Sequence, residues 1–415
     1  MNDSTAAPRL AECQIPPGDD FLSAEELAQL TPERLIERTR ALKPLLANHA
    51  REAERLRRPV DAVWAAIRKS GYFYLMVPRR FGGLELTPDE YIDATLPLAE
   101  GCASTGWVAS FCAQHNWLLA QFPEETQAEI WGRHPYIVAP SVAAPPGKAD
   151  PVEGGYRLTG HWKWGTGVMH ADWVMVNAFV PGDAGPVMHM FILPAGDATV
   201  IDNWHVDGMI GTGSNDILLS DLFVASHRAF PVGPARSGRG HAARLHDNPL
   251  YASPMLPSLA VTAAIPALGA ARSALGLTRE RLAGHVKMGS EGTQAEKPAA
   301  QMRLARADML VRSAELAIRD AARRNVGLGV IDEPEQTQER IQLRGQIAFA
   351  VGQCREAIQT LCESSGSSVH NLDNPLQRAL RDIQVMASHV VYDLDVATEL
   401  HGRALVGLAP NSTLT

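Results

Sequence analysis

Two glycine-punctuated blocks carry most of the candidate chemistry in this chain. The first is Gly154-Gly155-Tyr156-Arg157-Leu158-Thr159-Gly160-His161-Trp162-Lys163-Trp164-Gly165-Thr166-Gly167, and the second, about forty residues on, is Gly211-Thr212-Gly213-Ser214-Asn215-Asp216. Strand-like runs rich in tryptophan and hydroxyls suit a flat aromatic cofactor held on a small β-domain and closed over by helices. The second block is not a dinucleotide loop, because Gly-x-Gly-x-x-Gly opens a helix and here a strand follows. Its Ser214 hydroxyl suits a cofactor side chain or phosphate, and equally a tight turn without ligand. His115 lies in Phe111-Cys112-Ala113-Gln114-His115-Asn116-Trp117, where a lone histidine usually reads as a satisfied core residue. His389 and Asp393 are spaced i, i+4 on one helical face, as a capping pair or a functional one. Asn374, Gln377, Arg378 and Arg381 make a cationic helix start, suited to a phosphate or to a solvated first turn. A di-iron carboxylate bundle needs paired Glu-x-x-His sets, whereas Glu399 and His401 are only two apart.

The elements that must position these residues are legible in outline. Helical periodicity runs from Ser23 to about Trp131, with Thr31-Pro32 as a cap and first turn, a helix over Val60–Ser70, and further helices over Pro88–Gly101 and Ser104–Phe122. From about Tyr136 to Val232 short β-branched runs separated by turn residues predict a small antiparallel barrel or sandwich. Trp162 and Trp173 fit simple packing there. Ser237-Gly238-Arg239-Gly240 reads as a mobile linker. Four helical blocks follow, over Pro257–His285, Ala295–Val326, Pro334–Ser364 and Pro375–Gly407, and predict a four-helix bundle. The expected domains are 1–133 (helical), 134–236 (β-barrel) and 237–415 (bundle), an α+β fold.

At 415 residues, 46% hydrophobic and 20% charged, the chain reads as an ordinary globular protein. A net charge of −8 argues against a nucleic-acid or anionic-membrane surface. The 5 cysteines form no CxxC, so neither a disulfide framework nor a metal site is expected. The N-terminal stretch lacks an apolar core, and the apolar tract over Leu256–Ala271 reads as too short and too broken by Pro257 and Pro266 to cross a bilayer. The expected location is the cytoplasm.

Several segments, in order, resemble the acyl-CoA dehydrogenase superfamily. Pro78 with Gly82-Gly83 resembles its "vPxxyGG" connector, Gly160 to Gly167 its "GxKxWIT" flavin strand, and Ser365-Gly366 with Arg381-Asp382 its "GG…RD" helix entry. The stretches "GGYRLTGHWKWGTG", "GTGSND…DLFV" and "NPLQRALRDIQVMASH" look closer to the two-component flavin-dependent monooxygenases, the oxygenase components of aromatic hydroxylases. The resemblance implies an acyl-CoA dehydrogenase-like fold, a homotetramer, and reduced FMN, or FAD, delivered by a separate flavin reductase. Dioxygen would add to the flavin as a C4a-hydroperoxide that oxygenates a small aromatic or polycyclic substrate. The missing Rossmann signature agrees, since no NAD(P)H site is evident.

By the same resemblance His115 faces the substrate's phenolate or its equivalent, His389 is a second pocket histidine near the flavin's reactive edge, and Thr166 reaches flavin N5 or the peroxide. Serine is commoner than threonine at that last position. Trp164 would stand beside the isoalloxazine, Ser214, Ser365, Gly366, Asn374, Arg378 and Arg381 would line the flavin side chain or phosphate, and Gln301 would approach a neighbouring subunit's flavin. Dehydrogenases that carry their base late in the chain place a glutamate eight residues after the "RD" aspartate, where this chain has Val390. Without that carboxylate, proton abstraction beside a thioester has no evident base. A dehydrogenase or oxidase is the competing enzyme reading, and a flavin-free helical binding protein the non-enzymatic one.

Overall fold

The computed structural model describes residues 21–284 and 293–412; Cys13 and the expected helix end at His285 lie outside them. Six helices lead the chain: α1 (Ala24–Ala28), α2 (Pro32–Leu56), α3 (Asp61–Ser70), α4 (Pro88–Gly101), α5 (Ala103–Leu119) and α6 (Glu124–Trp131). Their starts follow local chemistry. Ser23 with Glu26, and Thr87 with Glu90, form reciprocal capping boxes, and the Thr31 hydroxyl accepts from Arg34 N ahead of Pro32. Among these helices α5 is central. Apolar and small residues surround it on all sides, and every one of its residues except Phe111 is buried.

The middle of the chain folds into one seven-stranded sheet. Its strands are β1 (Ser141–Val152), β2 (Gly155–Trp162), β3 (Trp173–Val180), β4 (Val187–Pro194), β5 (Thr199–Ile201), β6 (Asp216–Ala225) and β7 (Ala229–Pro231), in the order β5-β6-β2-β1-β3-β4-β7. All pairs are antiparallel except β1 with β3, and the edge strands β5 and β7 do not pair with each other. The expected small antiparallel barrel or sandwich is this one sheet, antiparallel throughout but for the β1–β3 pair. Strand β1 was hidden in the sequence by Pro145-Pro146-Gly147, which fall where its register against β3 shifts between Val142 and Gly147. Trp162, Val174, Val176, Phe191 and Ile217 form the sheet's own core, separate from the helical one. Trp162 is fully buried and donates to Asn177 O at 2.7 Å, as packing required.

Two short helices, α7 (Val232–Arg236) and α8 (Ala242–Leu245), lead into the bundle of α9 (Met255–Gly284), α10 (Pro298–Asn325), α11 (Glu335–Glu363), α12 (Pro375–Ala387) and α13 (Leu394–Leu405). The segment expected as a mobile linker is tied down: Arg239 donates to Gly329 O at 3.0 Å and to Ile331 O at 2.8 Å. Helix α9 runs through Pro257 and Pro266, as the expected helical block did, and the tract read as too short and broken to cross a bilayer is continuous. It is long and apolar enough to cross a membrane, yet 72% of its most apolar window is buried inside the protein. It packs against α4, α5, α10, α11 and α12 as the core helix of the bundle. The fourth expected helix is broken at Ser388–Asp393 into α12 and α13.

Candidate active site

On α5, Trp107, Phe111 and His115 recur every four residues and share one face. Their rings form a row, with centroids 4.9 Å apart from Trp107 to Phe111 and 5.7 Å apart from Phe111 to His115. His389 meets the other end, its ring 5.9 Å from Trp107 and edge-on. The two histidines singled out in the sequence thus bracket one aromatic wall. Trp107 and Phe111 were missed, although rings at four-residue spacing on one helix were the available signal.

The two imidazoles present opposite hydrogen-bonding faces. His115 Nδ1 lies 2.5 Å from Ala139 O. A carbonyl only accepts, so Nδ1 carries the hydrogen and Nε2 presents a lone pair. Complete burial pushes the pKa of His115 down to about 4, so the ring is neutral near pH 7. At His389 the donor is Val391 N, 3.3 Å from Nδ1, which puts the hydrogen of the neutral ring on Nε2. His389 keeps an exposed face, while the protein packed round its ring lowers its pKa. The expected helical pair with Asp393 does not form. His389 is extended, at ψ 136°, in the break between α12 and α13, and Asp393 Oδ1 caps α13 by accepting from Val396 N at 3.1 Å.

Burial of neutral histidine has a consequence for stability. His115 and His246 both sit at about 4, below the unfolded value near 6.5, so the unfolded chain takes up protons first as pH falls. Their contribution is intact above about pH 6.5 and is lost progressively toward pH 4. The urea midpoint is expected to drop between pH 7 and pH 5, with roughly 2 kcal/mol from His115 alone. His115→Gln should flatten that slope, and an unchanged slope would contradict a neutral buried ring.

Trp164 and Thr166 do not lie on a strand, as the sequence suggested, because β2 ends at Trp162 and they fall in the turn beyond it. Trp164 takes φ +70° and leaves its indole 66% exposed. The backbone N–H of Trp164 donates to Asp216 Oδ1 at 3.3 Å, and the other oxygen of Asp216 pairs with His161 Nε2 at 2.8 Å. Gly167, at φ +90°, lays the turn on α5, where an added Cβ would stand 2.7 Å from Cys112 Sγ. Cys112 follows Phe111, so the turn bearing Thr166 rests on the helix that carries the aromatic row.

Thr166 also opens a chain of hydroxyls. Its Oγ1 is 2.9 Å from Ser214 Oγ, which is 2.9 Å from Thr212 Oγ1, which in turn donates to Met209 O at 2.9 Å. Ser214 thus supports Thr166 rather than standing free. The loop holding it is clamped from two sides. Gly213, at φ +58°, passes so close to α2 that a Cβ would lie 2.5 Å from Arg57 O. On the other side Met209 N donates to Asp382 Oδ1 at 2.6 Å, tying the loop to α12.

The cationic start of α12 divides in role. Arg381 donates to Glu54 at 2.5 Å, to Gln377 Oε1 at 2.7 Å and to Asp207 O at 2.7 Å. It is a tie between α12, α2 and the Met209 loop in place of the phosphate contact expected of it. Gln377 is taken up in the same tie, and Arg378 Nη1 lies 3.9 Å from Glu54. Asn374 caps α12, accepting from Leu376 N, and lines an open groove of about 330 Å³ with Arg281, Ser368, Asn371 and Asp373. Arg281 donates to Ser365 O at 2.5 Å and to Ser368 Oγ at 2.9 Å through one nitrogen, while its buried Nη1 has no partner. Ser365 and Gly366 form the adjoining loop at the end of α11, with Gly366 at φ +71°. Arg281 was not anticipated, because it lies in the last turn of a helix read only as core. Gln301 is exposed near the start of α10 and donates to Ala295 O.

No unengaged carboxylate overlooks the aromatic row among these groups. Asp216 is held by His161 and Trp164 N, Asp382 by Met209 N, and Asp172 by Arg68 and by Val138 N at 3.1 Å. Val390, where the dehydrogenases place their glutamate, is 62% exposed. Among the described residues no cluster of His, Cys, Asp and Glu could hold a metal ion.

The acyl-CoA dehydrogenase N-terminal domain pattern matches residues 37–133, and a C-terminal domain pattern of the same family matches 261–394. The oxygenase component of an FADH(2)-dependent resorcinol hydroxylase from Rhizobium sp. (strain MTP-10005) is 34% identical, covering 94% of this chain and 99% of that one. The crystal structure of the HsaA monooxygenase from M. tuberculosis superposes with a TM-score of 0.86 at 30% identity, covering 93% of this chain and 100% of that one. XiaF from Streptomyces sp., solved with FADH2 and glycerol, superposes at 0.84 with 32% identity, covering 94% and 98%. The chain belongs to the acyl-CoA dehydrogenase superfamily and, within it, to the flavin-dependent oxygenase components of two-component hydroxylases.

The residues present fit a reduced flavin. An exposed indole beside a buried hydroxyl chain offers a stacking face and a polar contact for the ring. The unpartnered guanidinium nitrogen of Arg281, next to the capped start of α12, offers donors for a phosphate.

Proposed function

We propose that this chain hydroxylates a phenolic aromatic ring with reduced flavin and dioxygen. The observation that carries the reading is the pair of opposed imidazoles, with a lone pair at His115 Nε2 and a hydrogen at His389 Nε2, at the two ends of the Trp107–Phe111 wall. A flat ring lies against the wall, and its hydroxyl donates to His115. At a pKa of about 4 His115 cannot strip a free phenol, because full transfer from a group near 10 costs roughly 8 kcal/mol. It accepts a hydrogen bond first and takes the proton only as the ring gives up electron density to the incoming oxygen. His389 donates its Nε2 hydrogen to an oxygen at the far end of the wall. When bound, reduced flavin supplies activation of dioxygen for transfer of a single oxygen atom. Trp164 and Thr166 hold its ring, with Ser365, Gly366, Asn374, Arg378 and Arg281 toward its phosphate. A separate reductase provides it, and the cytoplasm is its expected setting.

A homotetramer fits the outer face of α10. Met302, Met309 and Leu316 recur every seven residues and are 72%, 62% and 70% exposed, with Gln301 beside them. Pairing that face with another copy would cover the stripe and carry Gln301 to a neighbour's flavin.

Oxygen transfer is the direct test. Anaerobically reduced FMN or FAD, mixed with the protein, a panel of phenols and ¹⁸O₂, is expected to yield product carrying one ¹⁸O. Hydrogen peroxide alone with every phenol, or anaerobic flavin reduction by an acyl thioester, would overturn the reading.

A further inference from the structure

The hydrogens along the Thr166–Ser214–Thr212 chain have a fixed direction, and it is set at the far end. Met209 O can only accept, so the single hydrogen of Thr212 points to it. Thr212 Oγ1 must then accept from Ser214, and Ser214 Oγ from Thr166. Thr212 and Ser214 are 1% and 3% exposed, so water does not compete for these bonds, and hydroxyls in series strengthen one another. The anchor is itself held. Met209 takes φ +54°, its N–H is captured by buried Asp382, and its carbonyl also accepts from Thr212 N at 3.1 Å. The hydrogen of Thr166 is therefore directed inward, and lone pairs face the site.

We propose that Ser214 and Thr212 are positioning residues that make Thr166 a hydrogen-bond acceptor, so that the site selects dihydroflavin over oxidised flavin at N5. This rests on the reading that Thr166 faces flavin N5. Dihydroflavin carries an N5–H donor, whereas oxidised flavin has only a lone pair there, which would confront the lone pairs of Thr166. To donate instead, Thr166 must give up Ser214 inside a buried pocket. One hydroxyl thereby holds the form of flavin that arrives and loosens the form that leaves.

Dissociation constants for oxidised and reduced flavin, measured anaerobically, give the test as their ratio. Thr212→Val cuts the chain at its anchor and is expected to lower the oxidised-to-reduced ratio about tenfold, with Thr212→Ser restoring it. A tenfold fall corresponds to a bound-flavin midpoint potential about 30 mV lower. Ser214→Ala cuts the chain one link nearer and gives the same shift should the valine variant fail to fold. Thr166→Val also lowers the ratio, and adding Thr212→Val to it changes nothing more. A ratio that responds to Thr166→Val but not to Thr212→Val or Ser214→Ala sinks the relay and leaves the placement of Thr166 intact. A ratio unmoved by Thr166→Val sinks both.

Discussion

His115→Ala is expected to lower aromatic hydroxylation about a thousandfold, the scale of a positioned acid–base group. Consumption of reduced flavin and oxygen should persist, so the loss appears as a shift from hydroxylated product to hydrogen peroxide. The reason is geometric. The Ala139 carbonyl fixes the Nδ1 hydrogen of His115 and leaves the Nε2 lone pair to face a bound ring. Because burial holds His115 neutral to about pH 4, the acid limb of hydroxylation should fall below pH 5 rather than near 6.5. Coupling of flavin oxidation to product within threefold of the unaltered protein would remove His115 from the role given to it.

Glu54→Ala is expected to be the most damaging single change to the scaffold. Its carboxylate is 5% exposed and is shared by Arg381 at 2.5 Å, Arg51 at 3.1 Å and Arg378 at 3.9 Å. Removing it leaves partly buried guanidinium groups without their counter-charge, a loss of about 3 kcal/mol after allowance for their solvent contact. A lower urea midpoint checks the size, and Arg381→Met in the same chain should recover part of the loss, since the two side chains act as one unit. Additive losses would show that they do not. Flavin affinity should fall with stability, because α12 also holds Met209 and, through it, the hydroxyl chain.

Local signals were sufficient for the helices. Thr31-Pro32, Pro88 and the periodic apolar stripes marked starts and extents to within a few residues, because capping and amphipathicity act over neighbouring positions. They failed where a partner overrode them. Pro145-Pro146 look like a loop but sit at a register shift in β1. Val390 and Val391 continue the helical pattern beyond α12, yet Arg344 donates to both of their carbonyls and the chain is extended at His389.

By itself the sequence determined the succession of helices, strands and bundle, which depends on composition, spacing and short-range bonds that a linear string retains. Its resemblance to the flavin-dependent oxygenases singled out His115, Thr166, His389 and Trp164 as candidates. Only the tertiary structure decided which way each of those groups points. The tautomers of His115 and His389 come from Ala139 and Val391, the hydrogen of Thr166 from a carbonyl at Met209, and the setting of Arg381 from Glu54 on another helix. Except for Val391 these partners lie dozens to hundreds of residues away from the groups they orient, and a hydrogen bond's direction is defined only once both ends are in place.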